Sequence, residues 1–184
     1  MERAQAGRSR PPRAVRRHVV LVGLPGSGKT TVGRLVANLL GTAFTDIDET
    51  VVSAAGMPVA EIFRVGKEAQ FRRIERAAMD GALAAPPHVI APGAGWMAQP
   101  GNLAAAVEAV LVYLRISPEA AAARLGGDRS RPLLEDSDPA ARIGELLAER
   151  ERWYRQAHAE VDAAAAAEKV ATEVVRSARS LGGW

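Results

Sequence analysis

The chain has 184 residues, 48% hydrophobic and 24% charged, which suits one domain with a substantial core. It contains no Cys, which excludes a disulfide framework, a thiolate metal site and a cysteine nucleophile. The net charge of +3 is unevenly placed: residues 1–17 (MERAQAGRSRPPRAVRR) carry +5, leaving the rest at −2.

The basicity therefore belongs to a tail with two prolines and no apolar period, expected to be disordered over 1–17. Nucleic acid is not favoured as a partner of the domain expected over 18–184. No apolar run reaches the roughly 18 to 20 residues of a membrane span, and the amino terminus has no signal-peptide core. A cytoplasmic protein is expected.

In chain order, residues 18–24 (HVVLVGL) read as a buried parallel strand. A glycine-rich turn follows, and apolar residues at Val32, Leu35, Val36, Leu39 and Leu40 have helical spacing over 31–40. Residues 43–45 form a short strand ending in Asp46-Ile47-Asp48. Two helices are expected over 49–55 and 59–65, then a longer one over 68–83 ended by Pro86-Pro87. A third strand over 88–91 runs into APGAGWM, and a helix follows at 102–108. Residues 109–116 (AVLVYLRI) are the clearest strand. Ser117-Pro118 then opens a helix, with Ser as N-cap and Pro at the first position. Gly, Pro and charge interrupt the chain up to 138, after which a helix over 139–158, a short strand at 160–162 and a helix to 181 complete it. Alternating strands and helices specify an α/β fold, a three-layer sandwich around a mostly parallel five-stranded sheet.

Residues 23–30 (GLPGSGKT) match G-x-x-x-x-G-K-[ST] between a strand and a helix. Glycines there let backbone N–H groups converge on a polyphosphate, and the helix presents its positive end. Gly26, Ser27, Gly28, Lys29, Thr30 and Thr31 are thus the expected ATP-binding set, with Lys29 reaching the β- and γ-phosphates and Thr30 ligating Mg²⁺. Asp46 and Asp48 end a strand where α/β sheets bind ligands. Two readings stand for this pair: one helps hold Mg²⁺ while the other meets a phosphoryl acceptor, or one or both cap the next helix, with Asp48 the natural N-cap. Arg131 lies in the interrupted segment, the natural place for a mobile lid at about 124–137. Arg72 and Arg150 lie on helices, and charge counting does not separate them from Arg73 or Arg152.

Together these residues resemble the shikimate kinase family, from about 18 to 180. The family's D-x-D is matched by Asp46-Ile47-Asp48, its F-R-x-x-E by Phe71-Arg72-Arg73-Ile74-Glu75, and its lid R-P-L-L by Arg131-Pro132-Leu133-Leu134. The late R-x-x-x-Y is Arg150 to Tyr154, and Arg124 resembles the nucleotide-stacking arginine. The resemblance implies a P-loop kinase fold and transfer of the ATP γ-phosphate to the 3-hydroxyl of shikimate, by a monomer. It implies Lys29, Asp48 and Arg131 as catalytic residues and Thr30 and Asp46 in the Mg²⁺ environment. It also implies Asp48, Arg72, Gly93, Ala94, Gly95 and Arg150 as acceptor-binding residues.

The chain departs from the family at Ala94 and Trp96 in the substrate turn, at Gly66-Lys67-Glu68, and at the alanine run 163–167 where relatives carry an adenine-contacting loop. Ala94 resists positive φ, so the turn must tolerate it or be reshaped. Trp96 either lines the acceptor pocket or packs beneath the turn as core, the commoner use of a large aromatic. Alternatives are a same-fold kinase for another carboxylated cyclitol such as quinate or aminoshikimate, and a non-catalytic nucleotide-binding relative. The two arginines argue for a carboxylate on the acceptor, and the retained set of Lys29, Thr30, Asp46, Asp48 and Arg131 argues for catalysis.

Overall fold

The computed structural model describes residues 16–126 and 138–184, with backbone only at 65–67. Five strands, β1 (Val19–Val22), β2 (Phe44–Asp46), β3 (Val89–Ala91), β4 (Val110–Arg115) and β5 (Ala159–Asp162), form one sheet in the order β2-β3-β1-β4-β5. All four pairings are parallel. Parallel neighbours need crossovers, and helices supply them: α1 (Lys29–Leu40), α2 (Ile47–Ala55), α3 (Val59–Ala84), α4 (Asn102–Ala105), α5 (Pro118–Leu125), α6 (Pro139–Tyr154) and α7 (Ala167–Ser180). With both sheet faces covered, β1, β3 and most of β4 are buried, which is why they read as unbroken apolar runs. The chain leaves β1 toward β2 and returns from β3 across β1 to β4. A crevice therefore opens at the carboxyl ends of β1 and β3.

Three boundaries differ from expectation. Residues 59–84 form one helix rather than two, because Gly66 costs an interior turn only about 1 kcal/mol and no proline stops it. The helix after Gly101 ends at Ala105, and α6 ends at Tyr154. Arg17, placed by sequence in the tail, is part of the domain. Its N–H donates to the Gly183 carbonyl (2.9 Å), its Nε to Glu108 O (2.8 Å), and the Trp184 indole donates to Arg17 O (2.8 Å). Residues 1–15 lie outside the described residues. Among the described residues no helix is long and apolar enough to cross a membrane.

Trp96 is 1% exposed and belongs to the core, and its carbonyl accepts from buried Asn102 Nδ2 at 2.8 Å. Trp96→Ala should cost about 3–5 kcal/mol of unfolding free energy, measured by denaturant titration.

At the opposite end of the sheet, His18 and His88 are buried edge to face, with centroids 5.0 Å apart. The His88 N–H donates to His18 Nδ1 (3.3 Å), so the His18 proton sits on Nε2, facing Leu83 O (3.2 Å). Burial, with His88 beside it, holds His18 below the usual imidazole range. Below pH ~6.5 the unfolded chain thus binds a proton that folded His18 resists, and stability falls as pH drops through that value. Thermal melts should show Tm decreasing from pH 7.5 to 5. His18→Gln, which keeps a donor for Leu83, should flatten that decrease.

Candidate active site

The phosphate loop leaves β1 and enters α1 at Gly28, whose φ of 89° and ψ of 17° are left-handed. Gly26 has φ 79° and lies so close to α5 that a Cβ would sit 2.5 Å from the Ala121 carbonyl oxygen. No acidic side chain occupies the first turn of α1, so its N-terminal positive end faces the cleft undiminished. Lys29 Nζ donates to the carbonyls of Gly23 and Leu24, 3.0 Å each, which holds the ammonium across its own loop. A cleft of about 240 Å³ is lined by Gly26, Gly28, Lys29, Thr30 and Thr31 from this loop and helix, with Asp46, Asp48 and Arg124 opposite. Ser27 is the exception: it is fully buried, its N–H donates to Leu24 O (3.2 Å), and it does not line the cleft.

Asp46 ends β2 and uses both of its carboxylate oxygens, one on the phosphate-loop helix and one as a helix cap. Oδ2 accepts from the Thr30 hydroxyl at 2.6 Å, while Oδ1 accepts from the N–H groups of Asp48 (3.0 Å) and Glu49 (3.4 Å). Asp46, not Asp48, is therefore the N-cap of α2. Asp48 is left in the first turn with its carboxylate turned toward the segment after β3, where Oδ1 lies 3.0 Å from the position a Cβ on Gly93 would take.

That segment is a tight turn. The Trp96 N–H donates to Gly93 O at 3.0 Å, and Gly95 has φ −90° and ψ −7°, the third-position values of a type I turn. Ala94 occupies the second position, which demands no positive φ, so the expected penalty does not arise. Gly93 and Gly95 are needed for room instead. A Cβ on Gly93 would meet Glu75 Oε1 at 2.5 Å, and one on Gly95 would meet Arg72 Nη2 at 2.8 Å.

Arg72 projects from α3 against this turn, held by Glu75 Oε2 (2.8 Å) and Glu68 Oε1 (3.1 Å). The sequence reading assigns Glu75 no role, yet it is 1% exposed and Oε1 has no hydrogen-bond partner among the described residues. Its i,i+3 spacing from Arg72 was the available signal. Burial pushes the Glu75 carboxyl up, Arg72 pulls it down, and Asp48 and Arg150 act on it from across the site. Arg72 and Arg150 are half-buried while Arg73 and Arg152 are exposed, the distinction that charge counting missed.

Arg124, in the last turn of α5, lines the cleft and donates from Nη2 to Ala164 O (3.3 Å), so the alanine run touches a cleft-lining side chain through its backbone. Arg131 and the expected lid beyond Gly126 lie outside the described residues. The arrangement joins a polyphosphate cradle, two carboxylates and two arginines around one crevice.

A family model described as shikimate kinase matches residues 25–179. The shikimate kinase of Caldanaerobacter subterraneus subsp. tengcongensis is 41% identical over 169 residues, spanning 91% of this chain and 99% of that protein. That of Mycobacterium avium is 44% identical over 138 residues, 75% of this chain and 78% of that protein. The solved shikimate kinase from Acinetobacter baumannii, in complex with shikimate, superposes with a TM-score of 0.87 at 30% identity, covering 91% of this chain and 96% of that one. The chain belongs to the shikimate kinase family.

Proposed function

We propose that the protein transfers the γ-phosphate of ATP to the 3-hydroxyl of shikimate, giving shikimate 3-phosphate and ADP, a step of aromatic amino acid biosynthesis. The observation that carries this reading is the acceptor side of the crevice. Asp48 and the Arg72 guanidinium converge on one bare turn, with Arg150 within electrostatic reach of the same cluster, beside the phosphate cradle. Two guanidinium forks suit a small acceptor bearing a carboxylate, which favours shikimate over uncharged polyols.

Asp48 accepts the proton of the attacking hydroxyl as the new P–O bond forms and the bond to the β-phosphate oxygen breaks. Lys29 and the first turn of α1 counter charge on the transferred group, the role that the family resemblance also gives to Arg131. Thr30 Oγ1 and Asp46 Oδ2, 2.6 Å apart at the cleft, are the hard oxygen donors that Mg²⁺ prefers. Among the described residues no cluster of three or more His, Cys, Asp or Glu could hold a metal, which fits an ion bound by few protein groups together with substrate phosphates. Mg²⁺ bound there would neutralise phosphate charge. Arg124 lines the cleft, which supports its assignment as the residue that stacks on the nucleotide base. We expect a cytoplasmic monomer.

A coupled assay of ADP release with shikimate, quinate and aminoshikimate as competing acceptors tests the function. Folded protein with Mg²⁺ and ATP that shows no shikimate-dependent turnover would sink it. Lys29→Ala should abolish turnover with every acceptor. Arg72→Ala should raise the shikimate KM by roughly tenfold to a hundredfold, the worth of a charge-assisted hydrogen bond, and leave the ATP KM near wild type. Gly95→Ala should act in the same direction by displacing the Arg72 head group, and unfolding free energy should fall with it because that head group pairs the buried Glu75 carboxylate.

A further inference from the structure

The turn after β3 is held from one side by a residue that has no role above. Tyr154, the last residue of α6 and 1% exposed, donates its hydroxyl proton to the Ala94 carbonyl at 2.6 Å. That carbonyl belongs to the central peptide of the type I turn. Rotating this one peptide by about half a revolution gives a type II turn, which needs φ near +80° at the third position. Gly95 occupies that position and carries no Cβ to oppose the change. Because the peptide is planar and trans, the flip exchanges the Ala94 C=O and the Gly95 N–H between the two faces of the turn. An N–H donor would give way to a carbonyl acceptor with little movement of the flanking chain. Two orientations of this peptide are thus sterically open to the turn, and the bond from Tyr154 is compatible with one of them only.

We propose that Tyr154 is a positioning residue for the acceptor: its hydroxyl locks the Ala94–Gly95 peptide in the type I orientation and so fixes which backbone group the turn presents between Asp48 and Arg72. This rests on the acceptor reading given above. The same helix carries Arg150 four residues earlier, on the same face, and the Arg150 cation acts on the Tyr154 hydroxyl. One helix thus orders both a side chain and a backbone group of the acceptor site. Tyr113 provides the contrast. It stacks on Tyr154 with ring centroids 5.2 Å apart, yet its own buried hydroxyl has no partner among the described residues. Ring packing and hydroxyl function are therefore separable in two neighbouring residues.

The test is steady-state kinetics on full-length wild type, Y154F and Y113F with ATP and shikimate varied in turn, alongside thermal melts. Y154F should raise the shikimate KM roughly three- to tenfold, the equilibrium weight of one neutral hydrogen bond, with the ATP KM within about twofold of wild type. Y113F should leave both constants within about twofold. Wild type without shikimate-dependent turnover defeats the function reading itself. Wild-type turnover with an unchanged shikimate KM in Y154F overturns the positioning role alone. An equal rise in the ATP KM, or a comparable rise in Y113F, also overturns it, since either marks general loosening. If Y154F does not fold, Tyr154 can be studied intact, because the chain has two tyrosines and Y113F leaves it as the remaining one. Biosynthetic ring-fluorinated tyrosine then keeps the ring and hydroxyl but ionises at lower pH. The shikimate KM should rise as the phenol loses its proton, with the ATP KM flat. A shikimate KM that stays level through that titration, followed by fluorine NMR, overturns the proposal.

Discussion

The site depends on how one carboxylate divides its two oxygens. Oδ2 of Asp46 takes the Thr30 hydroxyl and Oδ1 takes the first free N–H groups of α2. The first contact ties the start of α1 to the end of β2, although β3 lies between β1 and β2 in the sheet. The second fixes where α2 begins and therefore the direction of Asp48. Had Asp48 been the cap, its carboxylate would have been committed to backbone N–H groups two residues on, with little left for a ligand. Because Asp46 caps instead, Asp48 turns toward the segment after β3. The donor and acceptor halves of the crevice are spaced by a single side chain.

A second constraint governs the acceptor half. Four charged groups, Asp48, Arg72, Glu75 and Arg150, act on one another beside the turn, and Glu75 is almost fully buried. A buried carboxylate is costly unless paired, and Arg72 Nη1 at 2.8 Å supplies the pair. The cost is repaid in geometry: a guanidinium gripped by Glu75 and Glu68 has few rotamers left to lose when an anion binds. Burial raises the Glu75 carboxyl while Arg72 opposes the rise, so the pair is balanced by both neighbours.

Much of this was legible in sequence. The three central strands declared themselves because doubly covered parallel strands are apolar on both faces, and the phosphate loop did so because its glycines and Lys-Thr sit between a strand and a helix. What was not legible shares one physical cause. Asp46 and Asp48 are equally competent caps by residue type, and only the exit direction of β2 decides between them. Gly66 resembles a helix breaker, yet breaking a helix takes more than the ~1 kcal/mol that glycine costs. Arg72 and Arg73 are identical in composition and differ in which face α3 buries. In each case local chemistry allowed two states and tertiary contact selected one.

The departures at Ala94 and Trp96 are best judged by what they do to the surface an acceptor would meet. Trp96 lies under the turn, is 1% exposed, and accepts from Asn102, so its bulk anchors the turn from below. Ala94 sits at the second position of a type I turn, where an L-residue fits without strain. The glycines that cannot vary are those whose missing Cβ atoms admit Glu75, Asp48 and Arg72. Both departures therefore alter the scaffold and leave the charged face formed by Asp48, Arg72 and Arg150 unchanged. An enzyme with this turn should discriminate among acceptors by their charge and hydroxyl placement, much as one with a third glycine would, because the side chains proposed to read the acceptor, Asp48, Arg72 and Arg150, come from α2, α3 and α6.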